Sequence, residues 1–173
     1  MDIQVPCLLV ASPLLSDPNF LHSVVLLVEH DEQGTLGVIL NRPLPLTLAQ
    51  ISEESGLPYA GNAEATAFRG GPVEPQRGIV LARGGLPTAE DRVLDLLHFA
   101  SFRKDLLENL LLDSEARFRL FLGYAGWSAG QLDDEITEGA WSVRPLDSDW
   151  ILCEDPSALW GKAMEQAGDE GQS

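Results

Sequence analysis

Residues 23–41 constrain the fold more than any other stretch. SVVLLVEH, residues 23–30, is β-branched and almost wholly apolar; DEQG follows, and TLGVILN, residues 35–41, returns. An apolar run of that length with no polar face suits a strand covered on both sides. The short polar joint makes the pair an antiparallel hairpin. Asn41-Arg42-Pro43 ends it, because proline cannot continue a central strand.

The rest is read outward from this hairpin. VPCLLVA, 5–11, has strand length and character, and SPLLSDPNF, 12–20, is a loop. Thr47-Leu48-Ala49-Gln50 has capping-box spacing and predicts a short helix to Ser55, stopped at Gly56. Strands are expected at 65–69, 78–83 and 117–124, with Gly70-Gly71-Pro72 turning the chain between the first two. Residues 89–112 form the longest helical pattern, from Val93, Leu96, Leu97 and Ala100 and then Leu106, Leu107, Leu110 and Leu111, with a break near Ser101. Two short strands are expected at 141–144 and 150–153, and Asp155-Pro156 opens a final helix. Paired strands with a few helices imply one α+β domain on a largely antiparallel sheet, residues 1–166, with a frayed polar tail at 167–173.

Charge limits the partners. The chain has 27 acids against 11 Lys plus Arg, a formal net charge of -16. Such a surface repels a phosphate backbone, so direct nucleic-acid binding is not expected. No stretch approaches a membrane span, the N-terminus lacks a basic leader, and Cys7 and Cys153 are too few for a disulfide scaffold. A cytoplasmic protein with reduced thiols is the plain expectation. From Asp133 onward there are 11 acids and 2 bases, an acidic surface suited to solubility or to a basic partner.

Gly126-Trp127-Ser128-Ala129-Gly130 reads as G-x-S-x-G, the nucleophile-elbow pattern. A serine hydroxyl needs an adjacent base. His22, His30 and His98 all precede Ser128, so the hydrolase order of serine, acid and histidine is absent. The turn reading is stronger: Ser128 as a helix N-cap, Gln131 reaching back as its capping-box partner, and Trp127 anchoring the turn in the core. No catalytic residue is assigned.

Three other groupings bear on chemistry. Glu29-His30-Asp31-Glu32 has metal-binding residue types, but neighbours on a strand face opposite ways, and a solvated hairpin end is the better reading; no metal or cofactor is expected. Asn41-Arg42 and Arg69-Gly70-Gly71 each follow a strand and precede a proline. If the two loops converge they offer backbone N–H groups and guanidinium forks to a small anion. Gln131, Asp134, Glu135 and Glu138 share one face of a helix, either solvated or turned toward a partner.

GYAGWSAGQLDDE, 123–135, resembles the signature of the YqgE/AlgH family. Residues 8–43, RGGPV at 69–73, RGIVLA at 77–82 and Trp141 resemble its other blocks in the same order, whereas 98–118 depart from it. The resemblance implies a compact α+β fold in a bacterial, cytoplasmic family without a settled activity. Some members carry a transcriptional-regulator label, for which the acidic charge gives no physical support. It also implies that the position of Ser128 accepts glycine, which counts against catalysis there. Together these readings describe a non-catalytic binding or regulatory protein acting through a protein partner or a small anionic ligand. The alternative is an enzyme using Arg42, Arg69 and His30, with Glu29 or Asp133 as further acid or base. A homodimer is an ordinary expectation for such a chain.

Overall fold

A computed structural model describes residues 3–171, with side chains described as far as residue 166. The frayed tail expected at 167–173 lies outside the residues described with side chains. Ten strands are present among the described residues: β1 Cys7–Ala11, β2 Val24–Asp31, β3 Gly34–Ile39, β4 Pro43–Thr47, β5 Thr66–Arg69, β6 Val73–Arg83, β7 Arg92–Val93, β8 His98–Ser101, β9 Arg117–Ser128 and β10 Trp141–Pro145. Five helices accompany them: α1 Leu48–Ser55, α2 Lys104–Leu111, α3 Gln131–Thr137, α4 Ser148–Ile151 and α5 Leu159–Gly171.

The strands join in the order β10-β1-β2-β3-β9-β6-β8-β7, all antiparallel. A β4–β5 ribbon attaches through β5, which runs parallel to β9 at Phe68 and Phe121. The domain is therefore α+β on a largely antiparallel sheet. No helix among the described residues is long and apolar enough to cross a membrane.

Pleat parity sorts the core. Leu8, Val10, Val24, Leu26, Val38, Leu40, Ile79, Leu81 and Phe121 face one side and pack against Trp150, Ile151, Cys153 and Leu159 of the C-terminal segment. Leu9, Val25, Leu27 and Ile39 face the other side, under Leu132 of α3, and Val80, Ala82, Phe99 and Leu120 lie under Leu111 of α2 and Leu48 of α1. The central hairpin is buried on both faces, as its apolar run requires.

β9 organises the rest. Its first half pairs with β6 and its last four residues with β3. Gly123, at φ +78°, marks the change between the two halves. Gly70 enters the gap there, donating its N–H to the Leu122 carbonyl and accepting from Ile39 N–H, both at 2.8 Å. A Cβ on Gly70 would lie 2.2 Å from the Gly123 carbonyl oxygen, and one on Gly71 would lie 2.2 Å from Tyr124 backbone. Backbone packed on backbone is what this glycine pair permits.

The capping box at Thr47 and Gln50 and the stop at Gly56 stand as expected. Two expectations are corrected. Residues 89–112 are not one helix: the first half is the β7–β8 hairpin and only 104–111 are helical. Asp91 is fully buried there, its carboxylate taking Arg103 Nε and Nη2 and the N–H and hydroxyl of Thr88. That clamp folds the segment back instead of letting it run on as a helix. The hairpin ends before Pro43 as expected, since β3 stops at Ile39; Pro43 then begins β4, at a strand's first position, where its missing N–H costs nothing. Residues 150–153 are helix and turn, not strand; Asp147 caps α4 by accepting from Asp149 N–H. Asp155 and Pro156 open the final helix as expected, Asp155 as N-cap of a 3-10 turn at Pro156–Ala158 that runs into α5, but its carboxylate takes the Ser157 hydroxyl at 2.6 Å and no backbone N–H.

Candidate functional site

The signature turn is tied into the fold by hydrogen bonds. Ser128 is the last residue of β9, paired with Gly34, and the N-cap of α3 is Gly130 in the left-handed region at φ +77°. This corrects the assignment of the cap to Ser128. Gln131 does reach back: its Oε1 accepts from Ser128 N–H at 3.0 Å and from the hydroxyl at 3.2 Å. Glu135 takes the indole N–H of Trp127 at 3.2 Å and of Trp141 at 3.0 Å on one oxygen, and Gln131 Nε2 at 2.8 Å on the other. Both indoles are buried and pack against Phe20. Gln131 and Glu135 are thus tied inward, and the acidic stripe reduces to Asp134 and Glu138, which are exposed.

The loops of the first anion candidate do meet, but through main chain: Arg69 N–H donates to the Arg42 carbonyl at 2.8 Å. Asn41 spans its neighbours, accepting from Val24 N–H and donating to the His22 carbonyl. Arg42 donates to the Leu21 carbonyl, and burial lowers its pKa. The Gly70 amide is spent in the sheet. Of the two guanidinium groups only that of the exposed Arg69 has no hydrogen-bond or ion-pair partner among the described residues. His30, bonded to Thr35 at 2.6 Å, sits on β2 at the turn end of the hairpin, roughly 20 Å of strand away from Arg42. The structure does not gather Arg42, Arg69 and His30 into one site. Glu29 pairs with Arg92, and Asp31 accepts from Gln33 and Gly34 amides, so the acid–histidine run is a bonded hairpin end.

A different group of residues converges. The register sets His98 opposite Arg83 and Arg83 opposite Arg117, a lateral row across β8, β6 and β9. Residues paired in this way share a face, here the one covered by the C-terminal segment. The row opens into a cleft of about 550 Å³, lined also by Leu97, Ser148, Trp150, Cys153 and Lys162 and by Asp149, Glu154 and Asp155. A cleft of about 500 Å³ on the α2 side shares the Arg83 and Arg117 positions, but pleat parity turns their side chains away from it. Arg83, Arg117 and Lys162 have no side-chain partner among the described residues. One row deeper, Arg119 donates to the Cys153 carbonyl at 2.8 Å and lies over the Phe68 ring, joining the C-terminal segment to the sheet beneath the cleft.

His98 is fixed in this wall. Its ring and amide N–H groups both reach Asp95 Oδ1, at 2.9 and 2.8 Å. Burial, the largest influence on Asp95, raises its pKa. The Leu97 amide, His98, the Ser148 hydroxyl and the His98 amide together outweigh burial, and the carboxylate stays ionised below its ordinary range. An acceptor there places the proton on Nδ1 and leaves Nε2 as the ring nitrogen without an internal partner. Ser148 Oγ lies 3.4 Å from the same Nδ1. A serine nucleophile and its acid use opposite ring nitrogens, so this is not a hydrolase triad.

A family model described as AlgH-like matches residues 8–172. The chain belongs to the AlgH-like family. A UPF0301 protein of Myxococcus xanthus is 42% identical over 164 residues, covering 94% of this chain and 90% of the relative. The solution structure of AlgH from Pseudomonas aeruginosa aligns with a TM-score of 0.78 at 35% identity, over 97% of this chain and 93% of that one. A Corynebacterium diphtheriae protein shares the AlgH-like fold, with a TM-score of 0.75 at 24% identity. These names specify no reaction, so the function of this AlgH-like chain has to be argued from its cleft.

Sequence reasoning missed the row. Arg83, His98 and Arg117 stand far apart in the chain, and the one signal was that Arg83 and Arg117 sit at the ends of expected strands.

Proposed function

We propose that this chain is a binding protein for a small anionic ligand, held in the His98–Arg83–Arg117 cleft. The observation that carries the reading is three cationic side chains, Arg83, Arg117 and Lys162, without partners among the described residues in one cleft of a chain with net charge -16. Like charges set directly opposite on neighbouring strands are unfavourable, and an anion between them relieves that cost. Acids outnumber bases more than two to one in this chain, so leaving Arg83 and Arg117 unpaired is not for want of carboxylates. The volume lies in the range of small-molecule sites. Asp95 holds His98 rigidly, which supports recognition.

The test is isothermal titration of the protein with a panel of small carboxylates and phosphates, repeated with Arg83→Ala and Arg117→Ala. At least one anion binds the parent, and each substitution weakens it tenfold or more, about 1.4 kcal/mol. Binding that survives both substitutions would sink the proposal.

A further inference from the structure

Resting on that reading, we infer that the ligand of the cleft carries a diphosphate group. Neighbouring strands stand roughly 4.8 Å apart, so the row from His98 through Arg83 to Arg117 extends about 10 Å at the backbone. A lone carboxylate spans one step of such a row. Two linked phosphate groups reach further along the row through their hydrogen bonds, with a guanidinium fork for each and His98 Nε2 at one end. Lys162 adds a point charge from the opposite wall. The same cleft is also lined by Asp149, Glu154 and Asp155, which repel a further anion but accept hydrogen bonds from hydroxyl or amine groups. The cleft is also larger than a bare diphosphate needs. A diphosphate ester of a hydroxyl-bearing group suits both sets of side chains, the phosphates on the cationic row and the hydroxyls on the carboxylates.

The experiment uses pyrophosphate, orthophosphate, malonate and ADP as probes, without divalent cations. Affinity is read by calorimetry and position by amide and imidazole nitrogen shifts. Pyrophosphate and ADP are expected to bind at least tenfold more tightly than orthophosphate or malonate, to move the His98 Nε2 signal, and to lose tenfold or more in Arg83→Ala and in Arg117→Ala. Arg69→Ala leaves binding unchanged. Both row arginines are exposed, and an unchanged amide spectrum elsewhere certifies folding; Arg83→Lys, which keeps charge but not the fork, should retain part of the affinity. If malonate or orthophosphate binds as tightly as pyrophosphate, with the same dependence on Arg83 and Arg117, the diphosphate inference falls and the anion site stands. If no probe binds, or binding ignores the row substitutions, both fall.

Discussion

At the scale of the residue, Ser128 and Glu135 exchange the roles that the sequence suggests. The serine stands in a G-x-S-x-G frame, yet its hydroxyl only donates to Gln131, and removing it uncovers little. Ser128→Ala should change stability by no more than about 0.5 kcal/mol and leave anion binding untouched. Glu135 reads as one more surface acid, yet it is the acceptor for two buried indoles. Glu135→Leu leaves two donors without a partner, and each unsatisfied buried group costs about 1–3 kcal/mol. The expected loss is roughly 2–4 kcal/mol by urea unfolding, with altered tryptophan emission. A loss below about 1 kcal/mol would mean that water replaces the carboxylate. The serine motif is local and legible. The glutamate's importance depends on Trp141 arriving from β10, which no local pattern announces.

At the scale of the element, the 84–103 segment shows what decides between helix and hairpin. Val93, Leu96, Leu97 and Ala100 recur at helical spacing, but Val93, Leu96 and Leu97 are exposed and Asp91 and His98 are buried. Spacing alone does not report which residues face inward. The Asp91–Arg103 clamp does, and its partners lie twelve residues apart. By contrast Thr47 and Gln50 are three residues apart, and their helix was readable. The clamp makes a pH prediction. Burial is the largest influence on Asp91 and raises its pKa, but hydrogen bonds from Arg103, Ser101 and Thr88, with the Arg103 charge, bring it down from 3.8 to about 2. A carboxylate whose folded pKa is depressed contributes stability above its unfolded pKa and loses it as pH falls through the folded one. Asp91→Asn should therefore be less stable than the parent by roughly 2–3 kcal/mol near neutrality, since one partner of a buried pair is removed. That gap should narrow as pH falls from about 4 to about 2. Urea midpoints of both proteins across this range measure it, and a gap independent of pH would show that the carboxylate charge is not what holds the hairpin.

At the scale of the whole molecule, charge and cleft pull against each other. The fold class was legible because the apolar runs are strong and the hairpin is local. The cleft was not, because it exists only in the register of β8, β6 and β9. Around it spreads a surface of net charge -16. Charges of one sign on so small a body destabilise the compact state, and the repulsion is screened over roughly 10 Å at 0.1 M salt. Stability should therefore rise with potassium chloride between about 10 and 300 mM, most steeply at the low end, where the Debye length shrinks from about 30 Å. Chloride is the proper salt, since sulfate would also compete for the cleft. The same salt should weaken pyrophosphate binding, because that attraction is local and of opposite sign. Thermal melts and calorimetric affinities along one salt series read both trends. Opposed slopes, stability rising while affinity falls, are what an acidic body with a cationic cleft requires. Slopes of the same sign, or a melting temperature indifferent to salt, would mean that the acids are balanced locally and that Arg83 and Arg117 are no exception to their surroundings.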